Sequence, residues 1–167
     1  TYRPLTMSLF AIEWNFFKDN SSSYHFVQVL LYAVLCVVIF ILLKKLLKEY
    51  HPLLPFIAVL IFVSHPIHTE VTANIKGADE ILSLLFCTLT LLFAIKFSET
   101  QLKRYLGISF LFFLCALFSK ESGVTFILII PIALFFFTSA SRKSIFTIAA
   151  IHASAILIYF LARNSAL

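Results

Sequence analysis

The 167-residue chain is 61 % hydrophobic and 13 % charged, with a mean hydropathy of +1.00, whereas a soluble domain has roughly 45–50 % apolar and ~25 % charged residues. Its apolar runs are continuous where barrel strands would alternate, and it has only 3 glycines, so the expected fold class is all-α, a polytopic helical membrane protein. The formal net charge of +5 does not point to nucleic acid, because the basic residues lie scattered at the ends of apolar segments, where membrane topology puts them.

The opening, Thr1-Tyr2-Arg3-Pro4, has no initiator Met, and the chain is expected to be part of a longer polypeptide. Residues 1–23 are expected to form an extracytoplasmic interfacial segment. Met7, Phe10, Ala11, Trp14 and Phe17 or Phe16 recur at helical spacing while Glu13, Lys18 and Asp19 fall elsewhere, as in a helix lying among headgroups.

Residues 24–167 read as one multi-span membrane domain with about six hydrophobic segments: Tyr24 to Leu43, Leu53 to Ser64, Glu80 to Phe97, Tyr105 to Phe118, Val124 to Phe137 and Ile145 to Leu161. Lys44, Lys45 and Lys48 directly follow the first, which makes that end cytoplasmic by the positive-inside tendency. The resulting zigzag puts eight basic residues inside (Lys44, Lys45, Lys48, Lys96, Lys103, Arg104, Arg142, Lys143) and five outside (Arg3, Lys18, Lys76, Lys120, Arg163). Most carboxylates also fall outside. Acidic residues do not set topology, so their gathering there is the more functional signal. Cys36, Cys87 and Cys115, odd in number and inside apolar runs, read as small buried side chains.

Leu53 to Ser64, at 12 residues, and Leu106 to Phe118, at 13, cover only about 18–20 Å each against a hydrocarbon core of ~30 Å. Each ends on a polar motif. Either the motifs sit recessed in a polar cavity, or Leu53 to Ile75 is one long span kinked at Pro66.

Between the second and third segments runs Ser64 to Glu80, which spends two His, two Glu, one Asp and one Lys of a small supply of ionisable groups. Polar groups in or beside a membrane are costly and commonly functional. Pro66 suits the first turn of a short helix, capped by Ser64 or His65. On that helix His65 and His68 share a face while Glu70 points elsewhere, so no third ligand completes a zinc site; no metal and no cofactor are expected, although a divalent ion stays open. The histidines then either hydrogen-bond a substrate hydroxyl or carboxylate, or merely cap a helix. Asp79 opens the next helix, where a carboxylate can serve as a cap, and Glu80 is placed to reach a cation such as Lys120 or Lys76. Lys120-Glu121 stands between two apolar runs, where a lone lysine must be paired or meet a phosphate. Arg3, Lys120 and Arg163 together suit the phosphate of a lipid carrier whose tail stays in the bilayer; for Arg163 snorkelling to headgroups is the alternative.

Tyr2-Arg3-Pro4-Leu5-Thr6, Tyr24-His25-Phe26-Val27-Gln28-Val29-Leu30-Leu31, His65-Pro66-Ile67-His68-Thr69-Glu70, Gly77-Ala78-Asp79-Glu80-Ile81-Leu82 and Ser119-Lys120-Glu121-Ser122-Gly123-Val124-Thr125 resemble, in order and spacing, the membrane domain of the transmembrane and tetratricopeptide-repeat O-mannosyltransferases and their bacterial relatives. The resemblance implies a GT-C-like architecture and transfer of a sugar, mannose in that family, from a polyprenyl-phosphate carrier to an acceptor hydroxyl on a protein or glycan outside the cytoplasm. It places the protein in a bacterial inner membrane or the endoplasmic reticulum membrane. It also implies a general base in a loop upstream of Thr1, and Asp19 does not match it. Ala78 departs from the family, which often has Arg there.

The expected substrate-binding set is therefore His65, His68, Glu70, Lys76, Asp79, Glu80, Lys120 and Glu121, with Arg3, Lys120 and Arg163 toward the lipid phosphate. The rival classes are a transporter or flippase of lipid-linked or polar solutes, and a non-catalytic anchor for a repeat domain. A transporter needs polar residues along a path to both faces, and the spans carry almost none near the cytoplasmic side. An anchor needs no convergence of the His-Pro and Ser-Lys-Glu motifs.

Overall fold

The computed structural model describes residues 2–166; Thr1 and Leu167, the outer limits of the two expected units, lie outside the described residues. Eight α-helices follow one another: α1 (Pro4–Phe17), α2 (Ser21–Leu46), α3 (Leu54–Ser64), α4 (Ile67–Ala73), α5 (Ala78–Thr100), α6 (Lys103–Ser119), α7 (Phe126–Phe137) and α8 (Arg142–Ala166). Short 3₁₀ turns at Ile75–Gly77 and Glu121–Thr125 lead into α5 and α7. Among the described residues there is no strand. Three helical stretches are long and apolar enough to cross a membrane, Ser21–Leu46, Ile75–Thr100 and Arg142–Ala166, or four if α3 and α4 are one bent span. The chain is an all-α integral membrane protein.

The breaks follow from local chemistry. A residue before proline is pushed out of the α region, and His65, ahead of Pro66, is extended at φ −71°, ψ 126°. This ends α3 at Ser64, and α4 restarts at an angle of 65°. At 11 residues α3 spans only about 16 Å. The chain is therefore sharply bent at Pro66, where a continuous kinked span was one of the two sequence readings. Asn74 stops α4 with an extended backbone, and its side chain accepts a bond from the Lys76 amide. Gly77 then passes so close to α4 that an added Cβ would stand 2.3 Å from the Val71 carbonyl oxygen.

One length expectation is corrected. The segment read as Tyr105 to Phe118 begins at Lys103 and runs 17 residues, about 25 Å. Lys103 and Arg104 are already helical. The Arg104 guanidinium covers the Tyr105 ring at 4.8 Å, so its charge is carried along an aromatic face instead of ending the helix.

Helix α5 is the hub. In its most apolar stretch 61 % of residues are buried, against 17 % for α2 and 22 % for α8. Leu91, Leu92, Ala94, Ile95 and Phe97 pack with Leu106 of α6, Ile130 and Leu134 of α7 and Ile148 of α8. Lipid tails are as apolar as leucine, so helices in a membrane are held by close packing and polar ties. One such tie crosses the core. The Ser109 hydroxyl donates to the Thr90 carbonyl at 2.9 Å and lies 3.1 Å from His152 Nε2. With its hydrogen spent on Thr90, Ser109 accepts from a protonated Nε2, which fixes the tautomer. At one end of the bundle Gln101 Nε2 donates to Ser144 Oγ at 2.9 Å, locking the α5 terminus to the start of α8.

The cysteines are free; Cys87 is buried, and Cys36 and Cys115 are half-buried. Gly77→Ala should destabilise the protein by about 1–3 kcal/mol, since the clash is with backbone that has to move. Gly107→Ala, where a Cβ meets nothing within 4 Å, should cost nothing. Thermal unfolding of the two purified variants in detergent checks the contrast.

Candidate functional site

The site is built at the end of the bundle where α5 begins and α6 ends. Helix α5 opens with Ala78-Asp79-Glu80 and buries most of its first turns, so Asp79 enters the protein with only 9 % of its side chain exposed. It is not a cap, contrary to one sequence reading: the N-cap of α5 is Gly77, and no side chain caps the helix. A carboxylate this buried needs cations. Asp79 has two. Arg3, just ahead of α1, forms an ion pair with it, and Lys120 Nζ lies 3.7 Å from its Oδ1. Lys120 also pairs with Glu80, whose side chain is half-exposed. Lys120 is held there because α6 ends on it in an extended conformation, φ −155°, ψ 136°. The next residue, Glu121, accepts from Arg163 of α8 at 3.2 Å.

Two groups of ion pairs thus gather at one end of the bundle, the network of Arg3, Asp79, Lys120 and Glu80 and the adjacent pair of Glu121 and Arg163. Arg3, Lys120 and Arg163, expected toward a lipid phosphate, each face a carboxylate.

Helix α1 lies against this cluster. The Thr6 hydroxyl donates to the Ser119 carbonyl at 3.0 Å, satisfying an orphan acceptor at the α6 C-terminus. Thr6 and Glu13, seven residues apart, are buried, while Met7, Trp14 and Phe16 are exposed. Glu13, read from sequence as part of a solvated face, is thereby turned inward. Helix α1 packs on α6 through its polar side and leaves its apolar side open. One carboxylate oxygen of Glu13 has no hydrogen-bond partner, and burial pushes its carboxyl above the ordinary value.

Beside the cluster is a cavity of about 350 Å³ lined by Tyr32, Phe62, His68, Glu80, Ser122 and Thr125, among others. His68 of α4 packs its ring on Phe62 with centroids 4.2 Å apart, and Tyr32 stacks on Phe62 at 6.2 Å and lies 5.9 Å from His68, so the three rings form a triangle. The His-Pro motif and the stretch after Ser-Lys-Glu therefore converge on one hollow, with Glu80 shared between it and the ion cluster.

Not every expected residue is brought there. His65 is exposed and spends Nδ1 on the Ile67 amide at 3.2 Å, a capping role. Glu70 and Lys76 lie on the other side of α4, in a shallow groove with His25 and Asn74. Lys76 also lines a groove along α1 with Phe10, Trp14, Lys18 and Tyr24, and makes no ion pair among the described residues. The physical reason is the 3₁₀ turn at Ile75–Gly77, which rotates Lys76 away from Asp79 although only three positions separate them. No group of three His, Cys, Asp or Glu side chains able to hold a metal occurs among the described residues.

Sequence reasoning assigned no role to Gln28, Tyr32, Thr6 and Glu13. Gln28 is buried and donates to the carbonyls of Val71 at 2.8 Å and Asn74 at 3.2 Å, pinning the α4 C-terminus to α2. Its signal was available: it is the one amide between Phe26 and Leu43. Glu13 gave no comparable cue, because a glutamate on an interfacial helix is ordinary.

Removing Arg3 strands a buried carboxylate, so Arg3→Ala and Asp79→Ala should each destabilise, yet be non-additive by about 1–3 kcal/mol in a double-mutant cycle read by thermal unfolding. Glu13 gives a pH signature. A raised carboxyl in the folded state imposes no penalty below the ordinary carboxylate range, a growing one as pH rises to the raised value, and a constant one above it. Glu13→Gln should therefore stabilise the protein at neutral pH and flatten its stability profile between acid and neutral, measured by thermal unfolding at stepped pH.

Residues 4–165 match the family model described as dolichyl-phosphate-mannose-protein mannosyltransferase. Protein O-mannosyl-transferase F38B6.6 of Caenorhabditis elegans is 30 % identical over 135 residues, 80 % of this chain and 18 % of that protein. Protein O-mannosyl-transferase TMTC2 of Homo sapiens is 36 % identical over 132 residues, 75 % of this chain and 15 % of that protein. Protein O-mannosyl-transferase TMTC3 of Homo sapiens is 34 % identical over 86 residues, covering 52 % of this chain and 9 % of that protein. The chain spans less than a fifth of the length of these relatives. No solved structure matches it.

Proposed function

The chain belongs to the dolichyl-phosphate-mannose-protein mannosyltransferase family, and on that premise we propose that it is part of a membrane glycosyltransferase that moves mannose from a polyprenyl-phosphate carrier to an acceptor hydroxyl on the extracytoplasmic side. The observation that carries this reading is the convergence of distant motifs: Arg3 before α1, Asp79 and Glu80 at the head of α5, and Lys120 after α6 meet in one network beside a cavity of about 350 Å³.

In the reaction the bond from the anomeric carbon to the carrier phosphate breaks as the acceptor oxygen attacks, and negative charge grows on the leaving phosphate. Lys120 is the cation placed to meet it. Its hold on Asp79 keeps it beside Glu80, which lines the cavity, and Glu80, with 53 % of its side chain exposed, is the partner that can yield to a phosphate. Asp79 then acts as a positioning residue: buried, it fixes both Arg3 and Lys120 and cannot easily turn away. Arg163 with Glu121 closes the flank of the same cluster. The aromatic hollow of Tyr32, Phe62 and His68 has the apolar walls and polar rim that suit a sugar ring. No residue of this chain is assigned the general base.

The distribution of charge supports the extracytoplasmic placement. The ion cluster lies at the end of α5 and α6 away from Lys96, Lys103 and Arg104, and the positive-inside tendency makes that basic end cytosolic. A transporter would need polar groups continuing to the far end. The buried hydroxyls of Ser83, Thr88, Thr90 and Ser109 along the way each donate to backbone carbonyls, and His152 contacts Ser109, so these groups are spent within the bundle.

Lys120→Ala in the full-length polypeptide should lower transfer from a polyprenyl-phosphate sugar by about 10²–10³-fold, the usual loss for a group that stabilises developing charge. Lys120→Arg should retain most of it. Undiminished turnover in Lys120→Ala would remove this residue from the mechanism.

A further inference from the structure

At the end of the bundle opposite the ion cluster, α6 and α8 both begin, and between them lies a groove of about 760 Å³. Lys103 and Lys143 line it, and no carboxylate does. Neither helix has an acidic residue in its first turn. A helix N-terminus is the positive end of the amide dipole, where cations are unfavourable and anions favoured. Two such ends with a lysine on each favour an anion; among the described residues lining the groove they are offset only by the carbonyl end of α5, which reaches it at Phe97 and Gln101, and by no carboxylate. Glu99, a nearby carboxylate at this end, is engaged by Lys45 at 2.6 Å.

The floor is of a different kind. Gly107, one turn after Lys103, is exposed, and a Cβ added there would meet nothing within 4 Å. The absence of a side chain opens a trough flanked by Phe110 and Ile151. Thr147 and Ser154, along the α8 wall, return their hydroxyl hydrogens to their own helix at 2.9 and 2.7 Å. The wall thus presents satisfied hydroxyls and methyl groups rather than free donors, a surface compatible with hydrocarbon.

We propose that this groove binds an anionic phospholipid, with its phosphate between Lys103 and Lys143 and an acyl chain along the trough that Gly107 leaves open. Basic pockets between membrane helices, at headgroup depth, recognise lipids of this charge class. An apolar helix seated there instead would desolvate two lysines and two helix N-termini without supplying a counter-charge, which is costly. The groove is separate from the proposed transfer site and does not depend on that reading.

The test is native mass spectrometry of the full-length polypeptide released from mixed phosphatidylserine and phosphatidylcholine nanodiscs, with thermal unfolding in parallel to establish that each variant is folded. The wild type should retain phosphatidylserine over phosphatidylcholine. Lys103→Ala with Lys143→Ala should lower that retention by about 25-fold, roughly fivefold per lysine. Gly107→Trp, which leaves the charges alone and fills the trough, should lose the lipid as well, while Gly107→Ala should keep it. Equal retention of the two lipids, or retention unchanged in both the lysine and the tryptophan variants, would overturn the proposal. So would a Gly107→Cys thiol closed to a maleimide in lipid-free detergent, since a further stretch of polypeptide would then fill the groove.

Discussion

The Asp79 carboxylate, buried at the head of α5, is the constraint on which the site depends. A charge removed from water is tolerable only when countercharges and hydrogen bonds replace the lost solvation. Asp79 obtains them from two elements far away in the chain, Arg3 ahead of α1 and Lys120 after α6. One side chain therefore draws the start of the chain, the most buried helix and the loop before α7 to a single point. The Thr6 bond to the Ser119 carbonyl closes the same junction a turn away. The ion network and this hydroxyl contact together dock α1, whose apolar residues largely face outward.

Away from that junction, polar ties again supply what apolar burial cannot. With lipid on the outside there is little hydrophobic gain in bringing two leucine-rich surfaces together. The bundle uses close packing around α5 and a few buried hydrogen bonds: Ser109 with Thr90 and His152 in the middle, Gln28 on the α4 carbonyls at one end, and Gln101 with Ser144 at the other. Each joins helices that are not consecutive in the chain or closes a gap between them. Such bonds also set rotation about the helix axis, which greasy faces specify poorly. This is how α4, a helix of seven residues, comes to present His68 to the cavity and Glu70 away from it.

The cluster is balanced in formal charge: Arg3, Lys120 and Arg163 against Asp79, Glu80 and Glu121. On the proposed reading, phosphate binding is then an exchange rather than an addition. Glu80, exposed and paired to Lys120 alone, is displaced at little cost, whereas Asp79 stays. A preformed, internally compensated site of this kind remains stable when empty and releases a cation toward the ligand only when the ligand arrives. The same balance explains why the lysines at the far end of α6 and α8 differ. They have no carboxylate beside them, and their environment favours an anion from outside the protein.

Much was legible in the linear sequence. Hydropathy determined the class, since a chain this poor in charge cannot form a soluble surface, and the six apolar segments are all helices in the structure. Scarcity marked Lys120, Asp79 and Glu80 as residues needing partners, because lone charges between apolar runs are too costly to leave unpaired. Pro66 marked the break between α3 and α4. What only the tertiary structure decided was which charges meet. Lys76 and Lys120 were equally plausible partners for Glu80, and a single 3₁₀ turn after Asn74 excluded the first. Glu13 falls off the apolar stripe in the sequence and is buried because α1 turns its polar side inward. Local composition fixes which segments leave water, but pairing among charged groups depends on helix rotation and on approaches between residues up to 76 positions apart, and these are set by packing that no local pattern records.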